Sequence, residues 1–138
     1  MSETQASKGT VLVIEDDPDF SAYLAATLQD HGYETDICMD GDKALEQART
    51  SHPAGITLDI LLPGRTGISI YRKLRKDSST RSIPIVIVSG VGTEGKKLAI
   101  ERFFAGRSVP EPDGVLQKPV EPEALIDAVD SAIHKAVA

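Results

Sequence analysis

The sequence predicts an α/β fold, a five-stranded parallel sheet doubly wound with helices on both faces, and three observations carry that prediction. Short apolar runs alternate with segments of helical periodicity along the whole chain. The runs are rich in β-branched residues and too short to be helices. The central ones are almost continuously apolar, as strands covered on both faces must be. Crossovers between successive parallel strands are then right-handed.

"TVLVIE" (10–15) is the first strand, and Pro18 opens a helix where its missing N–H costs nothing. Phe20, Tyr23, Leu24 and Leu28 follow at helical spacing, and "DHG" (30–32) supplies a glycine stop. "YETDICM" (33–39) alternates enough for a half-buried strand nearer a sheet edge. Asp40 is placed to cap the next helix, in which Ala44, Leu45 and Ala48 make a narrow apolar stripe. "AGITLDI" (54–60) is the third strand, and a helix runs through "SIYRKLRKD" (69–77). "IPIVIVS" (83–89) is the most hydrophobic run, a helix is expected around "GKKLAIERFF" (95–104), and "GVLQ" (114–117) is a short fifth strand. After Pro122, Leu125, Val129, Ala132 and Ile133 form the apolar stripe of a last helix.

A chain of 138 residues is one domain long enough to bury a core, and no internal repeat or second domain interrupts it. The expected division is a flexible polar tail over 1–9 and one domain over 10–138. Lys and Arg total 15 against 21 Asp and Glu, a net charge of −6, which argues against electrostatically driven nucleic-acid binding. No stretch approaches the roughly 18 apolar residues of a membrane span, and the start "MSETQASKGT" lacks the apolar core of a signal peptide. The single cysteine, Cys38, permits no internal disulfide and fits a reducing compartment; it is expected to be a structural strand residue. A cytoplasmic protein without membrane insertion is the expectation.

In an open parallel sheet, ligands bind at the carboxyl ends of the strands. Here those ends are Glu15-Asp16-Asp17, Asp59, Ser89-Gly90 and Lys118-Pro119. Each has an ordinary explanation when taken singly: helix-dipole complementation for the acidic run, turn chemistry before Pro63-Gly64 for Asp59, strand termination for Ser89. Together, from four separate places in the sequence, they make a site. A carboxylate ending a buried strand costs several kcal/mol unless it is paired, and neighbouring carboxylates repel unless a cation sits among them. An all-oxygen set suits Mg²⁺. Asp59 is then a phosphoacceptor, since aspartate forms acyl phosphates, with Lys118 and the cation neutralising phosphoryl charge and Ser89 donating a hydrogen bond.

"GVGTEG" (90–95) matches a dinucleotide-binding G-x-G-x-x-G, but it follows the fourth strand rather than the first, and the next strand is delayed by a Pro-rich loop. Glycine there is expected to serve loop flexibility. An aspartate-nucleophile, Mg²⁺-dependent phosphohydrolase of the haloacid dehalogenase type wants a second Asp two residues after the first, where this chain has Leu61.

"VLVIEDDPDF", "TLDILLPGRTG", "IPIVIVSG" and "LQKPVEPEAL", in that order and on those elements, resemble the receiver domains of two-component response regulators from about residue 10 to 136. The resemblance implies the flavodoxin-like strand order 2-1-3-4-5. It implies Asp59 as the phosphorylation site, with Asp16, Asp59 and the backbone carbonyl of Leu61 holding Mg²⁺ and Glu15 acting through a metal-bound water. Asp17 points away, Ser89 and Lys118 clasp the phosphoryl oxygens, Gly90 leaves room for the phosphate, and the Lys118–Pro119 bond is cis. The donor is a sensor histidine kinase or a histidine phosphotransfer protein, since His31, His52 and His134 all fall outside the acidic site. Such a domain is a switch rather than an enzyme, catalysing at most its own phosphorylation and dephosphorylation. Output is expected to pass through protein–protein contact, with a phosphorylation-dependent dimer as one form, and a stand-alone domain without an attached output module is the expectation. A pseudo-receiver that signals by binding alone is the alternative.

Two features depart from the family. Val115 stands three residues before the lysine, where receivers usually carry a Tyr or Phe that swings inward. The stretch from Ser89 to Lys118 is longer than usual, the surplus falling in "GRSVPEPDG" (106–114) beside a face that commonly contacts partners. Leu61 and Val91, at positions flanking the phosphoryl group, are apolar and unable to orient a water, so slow self-dephosphorylation is expected.

Overall fold

The computed structural model describes residues 7–60, 67–89 and 110–137. Strands β1 (Thr10–Ile14), β2 (Glu34–Cys38), β3 (Gly55–Asp59), β4 (Ile85–Ser89) and β5 (Gly114–Gln117) form one sheet, in the order β2-β1-β3-β4-β5. All four pairings are parallel. Helices α1 (Pro18–Asp30), α2 (Ala44–Ser51), α3 (Gly67–Lys76) and α4 (Pro122–Val137) cover it. The expected helix over 95–104, the G-x-G-x-x-G stretch and residues 105–109 of the long loop lie outside the described residues.

Alternation along the strands divides the core by residue size. Leu12, Ile14, Ile56, Leu58, Ile85 and Ile87 face one way and pack with Ala44, Ala48, Ile70, Tyr71 and Leu74 of α2 and α3. Val11, Val13, Val86 and Val88 face the other way, against Leu24, Leu28, Leu125 and Val129 of α1 and α4. Two covered faces explain why the runs are apolar throughout. Val115 is partly buried against the first of these clusters, and Cys38 is buried at the end of β2.

The boundaries follow local chemistry. Asp17 has extended backbone and accepts the N–H of Asp19 as the cap of α1, with Pro18 in the first turn. The helix stops at His31, and Gly32 takes the positive φ of 97° that reverses the chain into β2. Asp40 caps not α2 itself but a single 3₁₀ turn, Gly41–Lys43, accepting the N–H of Asp42. The turn leads directly into α2, so the expected cap acts one element early. Tyr33 and Met39, expected within β2, flank it.

Candidate functional site

The carboxyl ends of β1, β3, β4 and β5 share one edge of the sheet. Glu15 immediately follows β1, Asp59 is the last residue of β3, and Lys118 follows β5. Ser89 ends β4, in register with Gln117 of β5. Leu61, Gly90 and Val91 lie outside the described residues.

Glu15, Asp16 and Asp59 each offer a carboxylate oxygen within 4.8 Å of the others. Glu15 is 1% exposed and Asp59 4%, while Asp16 is half-buried. The Lys118 Nζ lies 3.4 Å from Glu15 Oε1 and 3.4 Å from Asp59 Oδ2. One ammonium thus serves a cluster of three carboxylates. Glu15 Oε2 accepts the Asp17 N–H at 3.1 Å, whereas Oε1 is buried without a hydrogen-bond partner among the described residues. Burial foremost, and then the Asp59 carboxylate, push Glu15 up to about 7, against the lowering effects of the Asp17 N–H and of Lys118. The Lys118–Pro119 bond is cis.

A divalent cation fits this donor set. Two buried carboxylates and one half-buried one converge, a buried Glu15 oxygen lacks a hydrogen bond among the described residues, and the set carries more negative charge than Lys118 neutralises. All the side-chain donors are oxygen, the preference of Mg²⁺.

Two residues unmarked by the sequence shape the site. Gly67 begins α3 and donates its N–H to Ile60 O at 2.9 Å. A Cβ there would fall 2.3 Å from Asp59 O and 2.5 Å from Ile60 Cα, so only glycine lets the helix start this close to the acceptor strand. A glycine beside a helix start was the available signal. Phe20 lies under Lys118, whose Nζ is 4.3 Å from the ring centroid. A lone aromatic in the first turn of a helix gives no sign of that contact. Asp17, the third acid of the run, is exposed and occupied with its cap. His31 and His52 are the C-caps of α1 and α2, and His134 lies on α4, all outside the acid cluster.

Comparison with known proteins agrees with this arrangement. A model of the response regulator receiver domain matches residues 11–130. Protein Rrf1 of Nitratidesulfovibrio vulgaris is 31% identical over 125 residues, covering 89% of this chain and 81% of that protein. Protein PilH of Pseudomonas aeruginosa is 29% identical, covering 89% and 96%. The chain also matches the DNA-binding response regulator MtrA of Mycolicibacterium smegmatis at 31% identity, spanning 50% of its length. Among solved structures, a sensor protein from Polaromonas sp. JS666 superposes with a TM-score of 0.80 at 32% identity, covering 94% of this chain and 98% of that one. The receiver domain of a sensor histidine kinase from Pseudomonas aeruginosa PAO1, with a magnesium ion in its active site cleft, shares the fold with a TM-score of 0.77 at 24% identity, covering 91% and 98%. Among the described residues no helix is long and apolar enough to cross a membrane. With an acid cluster at the carboxyl edge of a 2-1-3-4-5 sheet and a family match over most of its length, the chain belongs to the response regulator receiver domain family.

Proposed function

We propose that this domain accepts a phosphoryl group on Asp59 from a sensor histidine kinase or a histidine phosphotransfer protein, and that the modified state switches protein–protein contacts. The observation that carries the reading is Lys118, its Nζ 3.4 Å from both Asp59 and Glu15 within a three-carboxylate cluster at the sheet's carboxyl edge. A structural ion pair needs one acid for one base; this cluster has two acids to spare.

In transfer from a phosphohistidine, an Asp59 carboxylate oxygen attacks phosphorus. The P–O bond forms as the P–N bond breaks, and the imidazole leaves with the electron pair and takes up a proton. Lys118, already beside Asp59, follows the charge onto the phosphoryl oxygens. Ser89 is the hydroxyl that the family resemblance assigns to one of those oxygens. Asp16, Asp59 and the Leu61 carbonyl are the residues that would hold Mg²⁺, with Glu15 reaching it through water, and the bound cation would supply neutralisation of charge on the transferring group. The acyl phosphate carries a charge of about −1.5 to −2 where the Asp59 carboxylate carried a single one, and adds acceptor oxygens, biasing the surface built around the site.

The test is intact mass after incubation with acetyl phosphate and Mg²⁺. The wild type gains one phosphoryl group, the gain is abolished by a chelator, and Asp59→Asn gains none. An unmodified wild type under every donor tried would replace this reading with that of a pseudo-receiver signalling by binding alone.

A further inference from the structure

We propose that Phe20 is a positioning residue for Lys118, its ring holding the ammonium against the acid pocket; the proposal rests on the reading of Asp59 as phosphoacceptor. Lysine has a long, freely rotating stem, and its ammonium is strongly hydrated. A side chain that must meet a phosphoryl group within the pocket therefore needs a hold on its solvent side. Lys118 remains 22% exposed, so the two carboxylates do not enclose it. Against it lies the face of Phe20, 4.3 Å from Nζ to the ring centroid. That is well inside the range over which the ring quadrupole attracts a cation.

The ring is itself fixed. Phe20 lies in the first turn of α1, whose start is set by the Asp17 cap and Pro18. It packs against the valine-lined half of the core and stacks with Tyr23, centroids 6.0 Å apart at 29°. The Tyr23 hydroxyl donates to Val120 O at 2.6 Å, tying α1 to the backbone two residues beyond Lys118. Phe20, Tyr23 and residues 118–121 line a groove of about 510 Å³. Lys118 borders that groove, and the ring is the aromatic face beside its ammonium there. The aromatic pair thus acts on the lysine twice, through its backbone and through its charge.

The test compares Phe20→Leu with Phe20→Tyr and Phe20→Trp, in the full chain. Leucine keeps an apolar body but lacks the quadrupole; the two aromatic variants keep it. We expect Phe20→Leu to slow phosphorylation by acetyl phosphate about three- to tenfold, with both aromatic variants near the wild-type rate. Independently of phosphorylation, the Lys118 ε-methylene protons, read by carbon–proton NMR, carry an upfield ring-current shift that Phe20→Leu removes. If all three variants slow the reaction alike, Phe20 serves packing only and the proposal is overturned; an unaltered rate and an unmoved Lys118 resonance in Phe20→Leu overturn it too. A wild type that takes up no phosphoryl group would instead refute the function of Asp59, while the NMR shift would still decide whether Phe20 holds the lysine.

Discussion

Two buried clusters of charge sit at opposite edges of the sheet, and they are built on opposite principles. At the amino edge, Arg75 is 6% exposed and each of its nitrogens is engaged: with Tyr71 Oη at 3.1 Å, Arg81 O at 3.0 Å, Ile83 O at 2.6 Å and Asp113 Oδ2 at 2.8 Å. Asp113 also accepts the N–H of Ile85, and the Tyr71 hydroxyl reaches Pro110 O at 2.6 Å. At the carboxyl edge, three acids share one lysine, and a buried Glu15 oxygen lacks a hydrogen bond among the described residues. A saturated network ties α3 to the segments leading into β4 and β5. A crowded one stores repulsion that a cation, or neutralisation of one acid, relieves. Burial alone does not separate structural from functional charge; the balance of partners does.

Removing the saturated hub should have the largest effect. Arg75→Met leaves Asp113 without its cation and two carbonyls without the guanidinium donor, and should lower stability by about 3 kcal/mol in urea unfolding; a variant as stable as the wild type would show that this network does not hold the fold. The crowded edge should respond with the opposite sign. In the metal-free protein at high pH, Glu15→Gln should raise stability by about 2 kcal/mol. The sign follows from the raised folded value of about 7 against an ordinary 4.5: the native state holds the proton more tightly, so the wild type loses stability as pH climbs between them. The advantage of the Glu15→Gln variant over the wild type should therefore shrink toward pH 4.5, read from unfolding curves in a chelator.

Thr57 sharpens the same contrast without charge. It is 1% exposed in β3, and its Oγ1 has no partner among the described residues. Thr57→Val should stabilise the protein by about 1 kcal/mol, measured by urea unfolding, and a loss would reveal a partner for the hydroxyl. Asp77 should give the smallest effect. Hydrogen bonds from Arg49 and from Ser79 hold its carboxyl well below the usual carboxylate range. A depressed value contributes stability that is present above the unfolded value of 3.8 and is lost as pH falls through the folded one. Asp77→Asn should accordingly lie below the wild type near neutral pH and converge with it in acid, as urea unfolding at the two pH values would show.

Local chemistry made much of this legible. β5 coincides with the four residues "GVLQ", because Gly114 opens the run and the Lys-Pro pair closes it. Pro18 marked the start of α1, though not its Asp17 cap, and the acid at the end of an apolar strand marked Asp59 as a residue needing a partner. What escaped depends on contacts between distant positions. Arg75 and Asp113 are 38 residues apart and look like two solvated charges until the fold brings them together. Phe20 fits the apolar stripe of α1, and nothing in its neighbours reveals the lysine that lies over its ring. The crowding over Gly67 likewise exists only once α3 meets the end of β3.

The most direct test of the central claim is to identify the modified residue. Borohydride reduces an acyl phosphate of aspartate to homoserine, and peptide mass spectrometry then locates it. After incubation with acetyl phosphate and Mg²⁺, the account predicts homoserine at position 59 and nowhere else. Homoserine at position 16, phosphate retained on a serine or histidine, or no modification at all would contradict it.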